Sequence, residues 1–245
     1  MQAGVQLYTL RDTLGQDLDG GLKRIAEIGY RFVETAGLYD LSASELRNKF
    51  DANGLIAVSS HIGLTEIETN FKQVVADAQT LGLSLIVMPW ISADAYPGRW
   101  EEIASRLNGV GATLADEGLR LAYHNHDFEF KEDNGVVPFE FFADHLDPES
   151  VGYEIDLAWV AHAGQDPAAW ITRLGEQIDC LHFKDVTADG QLCDVGKGKI
   201  DWDSVLKAAE EVEVTSGLVE HDNPGDAFAS ITASKEFLAS KGVTF

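Results

Sequence analysis

Residues 71–88, FKQVVADAQTLGLSLIVM, contain one complete unit of the pattern that decides the fold. The first part places apolar side chains on one helical face: Phe71, Val74, Val75, Ala78 and Leu81. Gly82 follows where a helix ends in a left-handed residue, and the apolar run 83–88 is typical of a buried strand. The stretch therefore predicts a helix, a glycine stop and a strand in immediate succession.

The same order recurs along the whole chain. Eight short apolar, β-branched or aromatic runs predict strands, at residues 4–8, 32–35, 56–61, 83–88, 119–124, 152–157, 180–183 and 217–220. Four glycines close helical stretches just before the next strand: Gly29, Gly54, Gly82 and Gly118. Alternating strands and helices indicate parallel βαβ units. Eight such units in 245 residues match the (β/α)8 TIM barrel, an α/β fold that usually takes about 250 residues.

Signals at the helix starts and the lack of a linker favour one barrel over two domains. Ser42 and Glu45, and likewise Thr65 and Glu68, have the spacing of a capping box. The turn after the first predicted strand lacks the glycines of a dinucleotide-binding loop, which argues against a doubly wound sheet. Since no Pro/Gly/Ser-rich tract divides the chain, residues 1–245 are predicted to form a single TIM-barrel domain.

The composition excludes several classes of partner. The chain has 41 Asp and Glu against 18 Lys and Arg, a net charge of −23, whereas nucleic acids and anionic membranes favour basic faces. The acidic excess equally fits a surface adapted to salt. The sequence contains neither an apolar run of about 20 residues nor an apparent signal peptide. Its two cysteines fit a reducing compartment. We therefore expect a cytoplasmic protein, monomeric or homo-oligomeric, that acts on a small molecule.

Polar residues concentrate where the predicted strands end, which is where barrels build their active sites. These positions are Tyr8, Arg11, Glu34, His61, Trp90, His124, Asn125, His126, Glu154, Asp156, Trp159, His182, Lys184, Asp185, Glu220, His221 and Asp222. Five of the seven histidines are among them. Imidazoles and carboxylates that converge from several strands suit a divalent metal ion. Asp156 and Glu220 are the strongest candidates, because a carboxylate buried after an apolar strand must be paired, hydrogen-bonded or metal-bound.

Four segments give the chain a resemblance to known proteins. They are residues 121–130 (LAYHNHDFEF), 153–159 (YEIDLAW), 181–185 (LHFKD) and 218–222 (LVEHD). Together with residues 5–11, 59–63 and 196–202 they resemble the xylose isomerase-like TIM-barrel superfamily, the sugar phosphate isomerase/epimerase group. The resemblance spans nearly the whole chain. It is specific for the superfamily and poorly specific for the substrate.

The resemblance implies one divalent metal ion held by strands five to eight. The family's aspartate of strand six, histidine of strand seven and glutamate of strand eight correspond to Asp156, His182 and Glu220. The strand-five ligand, usually glutamate, corresponds to His124, with His126 as the alternative. We expect Mn²⁺, with Zn²⁺, Co²⁺, Mg²⁺ or Fe²⁺ as alternatives.

Two departures from the family pattern affect the expected chemistry. In family epimerases the glutamates of strands five and eight transfer protons, and His124 breaks that pair. Many relatives have a further histidine ligand three residues after the strand-six aspartate, where this chain has Trp159. The apurinic endonuclease branch needs extra histidines, so the missing one and the net charge of −23 argue against DNA repair.

The resemblance and the strand-end residues lead to one functional hypothesis. It is isomerisation or epimerisation of a keto-sugar or related polyol, through α-proton abstraction and a metal-stabilised enediolate. Glu220 is the candidate base, with His126 or His61 as its catalytic partner. Lys184 either stabilises the developing oxyanion or forms an ion pair with Asp185 or Glu220.

Five further residues are expected to bind the substrate: Tyr8, Arg11, Glu34, Trp90 and Trp159. Arg11 is either a substrate or phosphate anchor or part of a surface ion pair, and Tyr8 and Trp90 form an apolar wall or ordinary packing. Few basic residues lie near the strand ends, which favours an uncharged keto-sugar over a sugar phosphate. Specificity is expected to come from the loops at residues 92–99 and 131–137.

Two alternative functions remain open at this point. The first is a metal-dependent dehydratase of the inosose or 3-keto-sugar type, which eliminates water after the same α-proton abstraction. The second is a barrel that binds sugar without turnover.

Overall fold

Eight parallel strands close into a barrel in the computed structural model, which describes residues 1–91 and 97–245. The barrel strands are β1 Gln2–Gln6, β2 Phe32–Thr35, β3 Ile56–His61, β4 Leu85–Met88, β5 Arg120–His124, β6 Val151–Asp156, β7 Ile178–Phe183 and β10 Ser216–Val219. Their order around the barrel follows the chain, and β10 closes the ring against β1. A short antiparallel pair, β8 Asp185–Val186 and β9 Leu192–Cys193, lies outside it. The predicted (β/α)8 barrel is confirmed.

Helices connect successive strands and cover the barrel. They are α1 Arg11–Gln16, α2 Leu18–Ile28, α3 Ala43–Ala52, α4 Leu64–Thr69, α5 Phe71–Leu81, α6 Trp100–Asp116, α7 Pro138–His145, α8 Leu157–His162, α9 Pro167–Leu174, α10 Trp202–Glu211 and α11 Ala227–Ser240. Their apolar faces pack on the strands, as Leu22 and Ile25 of α2 do with full burial. In the part of the chain that is described, no helix is both long and apolar enough to cross a membrane.

The helix boundaries follow the predicted signals with one exception. Gly29 and Gly82 end α2 and α5 with φ of 97° and 78°, a conformation that costs glycine little. The capping box of Ser42 and Glu45 is present at the start of α3. The one predicted at Thr65 is wrong, because α4 already begins at the buried residue Leu64 and Thr65 lies inside the helix.

The first strand ends earlier than predicted. It stops at Gln6 rather than at Tyr8, since residues Leu7–Leu10 form a 3-10 turn. The Gln6 side chain stabilises this turn by accepting a hydrogen bond from the Tyr8 amide at 2.9 Å. Tyr8 consequently leaves the barrel wall and projects at its mouth, where 40% of it is exposed.

Candidate metal centre and active site

A cavity of about 730 Å³ opens at the C-terminal ends of the barrel strands. Most of the predicted site residues line it: Tyr8, Arg11, His61, Trp90, His124, His126, Lys184 and Glu220. Asp156 and His182 are fully buried behind this surface, in contact with Lys184 and Glu220. The fold therefore brings residues from distant parts of the sequence to one place, as expected for a barrel active site.

Four side chains form what we call the outer set: His124, Asp156, His182 and Glu220. Each offers one ligand atom, and these atoms all lie within 4.8 Å of one another. His182 Nδ1 is 2.9 Å from Glu220 Oε2, and His124 Nε2 is 3.8 Å from Asp156 Oδ2. Donors that share one tetrahedral ion lie about 3.3 Å apart, so the outer set fits an ion with mixed nitrogen and oxygen ligands.

Helix capping sets the orientation of Asp156 within the outer set. Its Oδ1 accepts a hydrogen bond from the Trp159 amide at 2.9 Å and caps α8. This bond directs Oδ2 towards His124 and Lys184. Burial raises the pKa of Asp156 to about 6, against the opposing effect of the Lys184 charge.

The Lys184 ammonium already lies among the carboxylates of this site. Its Nζ is 2.9 Å from Asp156 Oδ2, 2.7 Å from Glu220 Oε2 and 2.7 Å from Asp222 Oδ1. Burial opposes the charge, but the three carboxylates outweigh it and raise the pKa of Lys184 well above its usual range. Of the two ion-pair partners considered for Lys184, Glu220 is found in contact with it. The site is built to attract positive charge.

A second group, which we call the inner set, lies behind the first: Glu34, His61, His124, Glu154 and His182. Glu154 Oε1 lies 2.9 Å from His61 Nε2, His124 Nδ1 and His182 Nε2. Glu34 Oε1 lies 3.0 Å from His61 Nε2 and 2.9 Å from His182 Nε2. The two sets share His124 and His182, which use opposite ring nitrogens for each set.

Both inner carboxylates are anionic despite complete burial. Burial and the neighbouring Glu34 oppose the charge on Glu154, but His182, His61 and His124 lower its pKa to about 2. The pKa of Glu34 is also lowered, because His61 and His182 outweigh burial. Gln6 stabilises Glu34 further by donating a hydrogen bond of 2.5 Å to its Oε1. Anionic carboxylates accept hydrogen bonds and donate none.

His126 lies beside the outer set but belongs to neither group of clustered donors. Its ring stacks on Phe128 at 5.8 Å and tilts against Trp159 at 5.6 Å. Burial, reinforced by the Lys184 charge, lowers the pKa of His126 to about 4, so its imidazole is neutral at pH 7. The geometry places a neutral imidazole in the cavity wall.

Two aromatic side chains and one cation border the mouth of the cavity. Tyr8 is 40% exposed and Trp90 is 54% exposed. The Arg11 guanidinium lies 4.1 Å from the Tyr8 ring centroid and donates to the Tyr8 carbonyl and to Asn223 Oδ1. Among the described residues, both of these hydrogen-bond acceptors are neutral groups. Arg11 thus adds one positive charge beside an exposed aromatic face.

The two loops expected to give specificity are described to different extents. In the first loop, residues 92–96 lie outside the described residues. In the second, Asp133 Oδ2 accepts hydrogen bonds of 2.7 Å from the Gly98 amide and from Trp100 Nε1. The second loop is thereby fastened to the start of α6.

Two residues predicted to bind the substrate, Glu34 and Trp159, do not line the cavity. Glu34 has no exposed surface and does not line the cavity, because Gln6, His61 and His182 hold its carboxylate inside the barrel. Trp159 contacts His126 and lies 5.4 Å from the Lys184 ammonium, although it is not part of the cavity lining.

Three carboxylates near the site have structural roles that the sequence did not predict. Glu154 lies two residues before Asp156, and strand alternation directs both side chains to the same face, which is a signal that identifies it. Glu129 accepts hydrogen bonds from Tyr123 Oη at 2.7 Å and from the His126 amide at 2.8 Å, and so fixes the loop after β5. Asp185 accepts from Gly196, Gly198 and Trp202, which ties the 196–202 segment to the barrel.

Comparison with known sequences settles the family. Residues 22–240 match the sequence profile of the xylose isomerase-like TIM barrel family. The chain belongs to this family. The match covers every barrel strand except β1, together with all four residues of the outer set.

The individual relatives are distant in sequence, with about a quarter of the aligned residues identical. The chain is 25% identical over 199 residues to an inosose dehydratase of Mesomycoplasma hyopneumoniae, with 71% of this chain and 64% of that protein covered. It is also 25% identical to the rhizopine catabolism protein MocC of Rhizobium meliloti, over 94% of this chain and 73% of that protein. A crystal structure of a sugar phosphate isomerase/epimerase from Parabacteroides distasonis is 25% identical, covers 97% of this chain and 93% of its own, and has a TM-score of 0.85.

Proposed function

We propose that the protein is a divalent-metal-dependent isomerase or epimerase of a keto-sugar or related polyol. Members of its family are sugar-processing enzymes, and the relatives above are named as dehydratases or isomerases. The observation that carries the proposal is the outer set, in which two imidazoles and two carboxylates converge beside a cavity that also presents Lys184 and His126.

The donors of the outer set fit a divalent ion in charge and in type. Asp156 and Glu220 supply two negative charges, and His124 and His182 supply nitrogen ligands, a combination that Mn²⁺ or Zn²⁺ accepts. Lys184 contacts the same two carboxylates, which supports the presence of a strong attraction for cations there. When bound, the ion would polarise the substrate carbonyl and acidify the adjacent C–H bond.

Three side chains of the cavity would then move or stabilise the proton and charge. Glu220 is an anion, since Lys184 and His182 outweigh burial and lower its pKa well below the usual range. We assign it the role of the base that removes the α-proton. His126, as a neutral imidazole with one N–H and one acceptor nitrogen, would relay a proton between adjacent substrate oxygens.

We assign Lys184 the role of stabilising the negative charge that develops on the substrate. Its raised pKa keeps the proton on the ammonium, so Lys184 is a good electrostatic partner for a developing enediolate and a poor acid.

A dehydratase is the second candidate function, favoured by the names of the curated relatives. The chain spans about 64% of the length of the inosose dehydratase it resembles, so the activity of that whole protein is itself a proposal here. Both candidates begin with the same abstraction of an α-proton. They differ in whether the substrate then loses water.

Solvent exchange separates these functions. The Mn²⁺-loaded protein would be incubated in deuterated water with neutral keto-sugars and keto-inositols, and products would be followed by NMR and ultraviolet absorbance. An isomerase incorporates deuterium at carbon and yields an isomeric sugar, whereas a dehydratase yields an absorbing enone. Bound metal with neither change would contradict both candidates and leave sugar binding without turnover.

A further inference from the structure

The outer and inner sets meet in two shared imidazoles. His124 directs Nε2 towards Asp156 in the outer set and Nδ1 towards Glu154 in the inner set. His182 directs Nδ1 towards Glu220 and Nε2 towards Glu34 and Glu154. The two rings therefore face the outer set with different nitrogens.

This arrangement places a strict requirement on the protons of both rings. A neutral imidazole has one lone pair for a metal and one N–H. An ion in the outer set needs the lone pair on Nε2 of His124 and on Nδ1 of His182. His124 must then carry its proton on Nδ1, and His182 must carry its proton on Nε2.

We propose that Glu154 is a positioning residue for the metal centre, which fixes these opposite tautomers in His124 and His182. Its Oε1 lies 2.9 Å from His124 Nδ1 and 2.9 Å from His182 Nε2, the two nitrogens that must carry protons. A carboxylate only accepts hydrogen bonds, so it selects the N–H form at both positions. The inference rests on the metal site of the proposed function.

The surroundings hold Glu154 in this position. It is fully buried in β6, two residues before Asp156, so one strand supplies both a proposed ligand and the carboxylate behind two other ligands. Two residues of strand span roughly 6.6 Å, which separates the two layers by a rigid backbone step. His61 Nε2, at 2.9 Å from Glu154 Oε1, adds a third neighbour on the inner side.

Glu34 makes a contribution of the same kind at one ring, where it is the hydrogen-bond partner of His182 Nε2. Its Oε1 lies 2.9 Å from His182 Nε2, so it faces one of the two shared rings. Glu154 faces both rings. The loss of Glu34 is therefore expected to weaken metal binding less than the loss of Glu154.

Metal affinity and imidazole tautomers test this role directly. Chelator-treated wild type, Glu154→Gln and Glu34→Gln would be titrated with Co²⁺, with visible absorbance as the readout. The ring nitrogens of ¹⁵N-histidine-labelled protein would be assigned by NMR. Outer partners of metal-bound histidines typically contribute tenfold to hundredfold in affinity. Glu154→Gln should therefore bind Co²⁺ about 10–100-fold more weakly and show mixed tautomers of His124, whose pKa burial keeps low.

Glu149→Gln is the matched control, because Glu149 is an exposed carboxylate just before β6 and its replacement removes the same charge. It should leave Co²⁺ affinity and tautomers as in wild type. Unchanged affinity and tautomers in Glu154→Gln would overturn the inference. If Glu154→Gln does not fold by circular dichroism, Glu154→Asp decides, because its shorter side chain keeps the charge but withdraws the carboxylate from His124 Nδ1. Several-fold weaker Co²⁺ binding and a mixed tautomer of His124 are then expected, and wild-type behaviour would overturn the inference.

His61→Gln tests whether the ion binds in the inner set instead of the outer set. His61→Gln should weaken Co²⁺ binding less than Glu154→Gln, since His61 faces only the inner set. Complete loss of binding in His61→Gln would place the ion among the inner residues and overturn the inference. Failure of wild type to bind any divalent ion would instead contradict the proposed function itself.

Discussion

The two ends of the barrel carry cavities of nearly equal size and very different chemistry. The cavity at the C-terminal ends of the strands measures about 730 Å³, and the one at the N-terminal ends about 720 Å³. The first is lined by histidines, Lys184, Glu220 and Asp222. The second is lined mainly by small and apolar residues, together with Arg120 and Asp179, which form an ion pair at 2.7 Å.

The difference shows that cavity volume does not locate the chemistry. At the N-terminal end, glycine permits close packing: a Cβ on Gly4 would lie 2.5 Å from the Phe32 carbonyl oxygen, and one on Gly217 would lie 2.4 Å from the Phe183 ring. At the C-terminal end, buried charges converge although burial opposes each of them. Close packing explains the first region, whereas a shared ligand or proton network accounts for the second.

The largest expected effect of a single substitution is that of Glu220→Gln. It removes a proposed ligand and the proposed base together, so turnover should fall about a thousandfold or more. Solvent deuterium exchange measures the turnover, and metal analysis of the same sample measures the bound ion. Glu149→Gln serves as the charge-matched control. Retention of wild-type exchange would remove Glu220 from the mechanism.

Lys184→Met should separate binding from catalysis. Because the ammonium competes for Asp156 and Glu220, its loss should tighten metal binding while turnover falls about a hundredfold. The metal-free variant should lose about 3 kcal/mol of stability, since carboxylates are left buried without their partner, and metal should restore it. Thermal unfolding with and without Mn²⁺ gives this comparison. Weaker metal binding would show that Lys184 supports the ion rather than competes with it.

Gly4→Ala tests the N-terminal end. Its Cβ would lie 2.5 Å from a backbone oxygen that cannot move freely, and overpacking of this kind costs about 3 kcal/mol of unfolding free energy. Urea unfolding measures the loss. Metal affinity and deuterium exchange of the folded variant should stay at wild-type values. A loss of metal affinity without a loss of stability would link the two ends of the barrel and break the comparison.

The most gradual expected effect is a pH dependence due to Glu129. Burial raises its pKa from 4.5 to about 7, against the hydrogen bonds from Tyr123 and His126. The folded state therefore holds this proton more tightly than the unfolded state, and its contribution to stability is complete below pH 4.5 and lost as the pH rises to about 7. At about 1.4 kcal/mol for each pKa unit, the loss amounts to about 3 kcal/mol at pH 7.

Chemical denaturation between pH 4.5 and 8 checks this window. The unfolding free energy of wild type should fall relative to that of Glu129→Gln as the pH rises, because glutamine cannot ionise. Parallel pH profiles of the two proteins would contradict the assignment to Glu129.

The fold could be predicted from the sequence because its signals are local. Apolar runs located all eight barrel strands, and the glycines after the helices, such as Gly29 and Gly82, located the helix ends. The misplaced capping box at Thr65 has a tertiary cause, whereas the early end of β1 has a local one. In the first case Leu64 is buried in the core, and in the second the Gln6 side chain stabilises a 3-10 turn.

The site could be predicted from the sequence only in part. The residues of the outer set could be predicted because they follow the strands, and barrel geometry brings the strand ends together. The roles of Glu34 and Glu154 depend on distances to histidines of other strands, which no local pattern encodes. Glu154 differs from an ordinary strand residue only by lying two positions before Asp156.

Anomalous diffraction from a crystal of the Mn²⁺-loaded protein tests the central claim most directly, because it locates the ion among the two sets of ligands. The account predicts one anomalous peak bound by His124, Asp156, His182 and Glu220, with Glu154 accepting hydrogen bonds from the far nitrogens of the two imidazoles. A peak among His61, Glu154 and Glu34, or no peak at this end of the barrel, would contradict it.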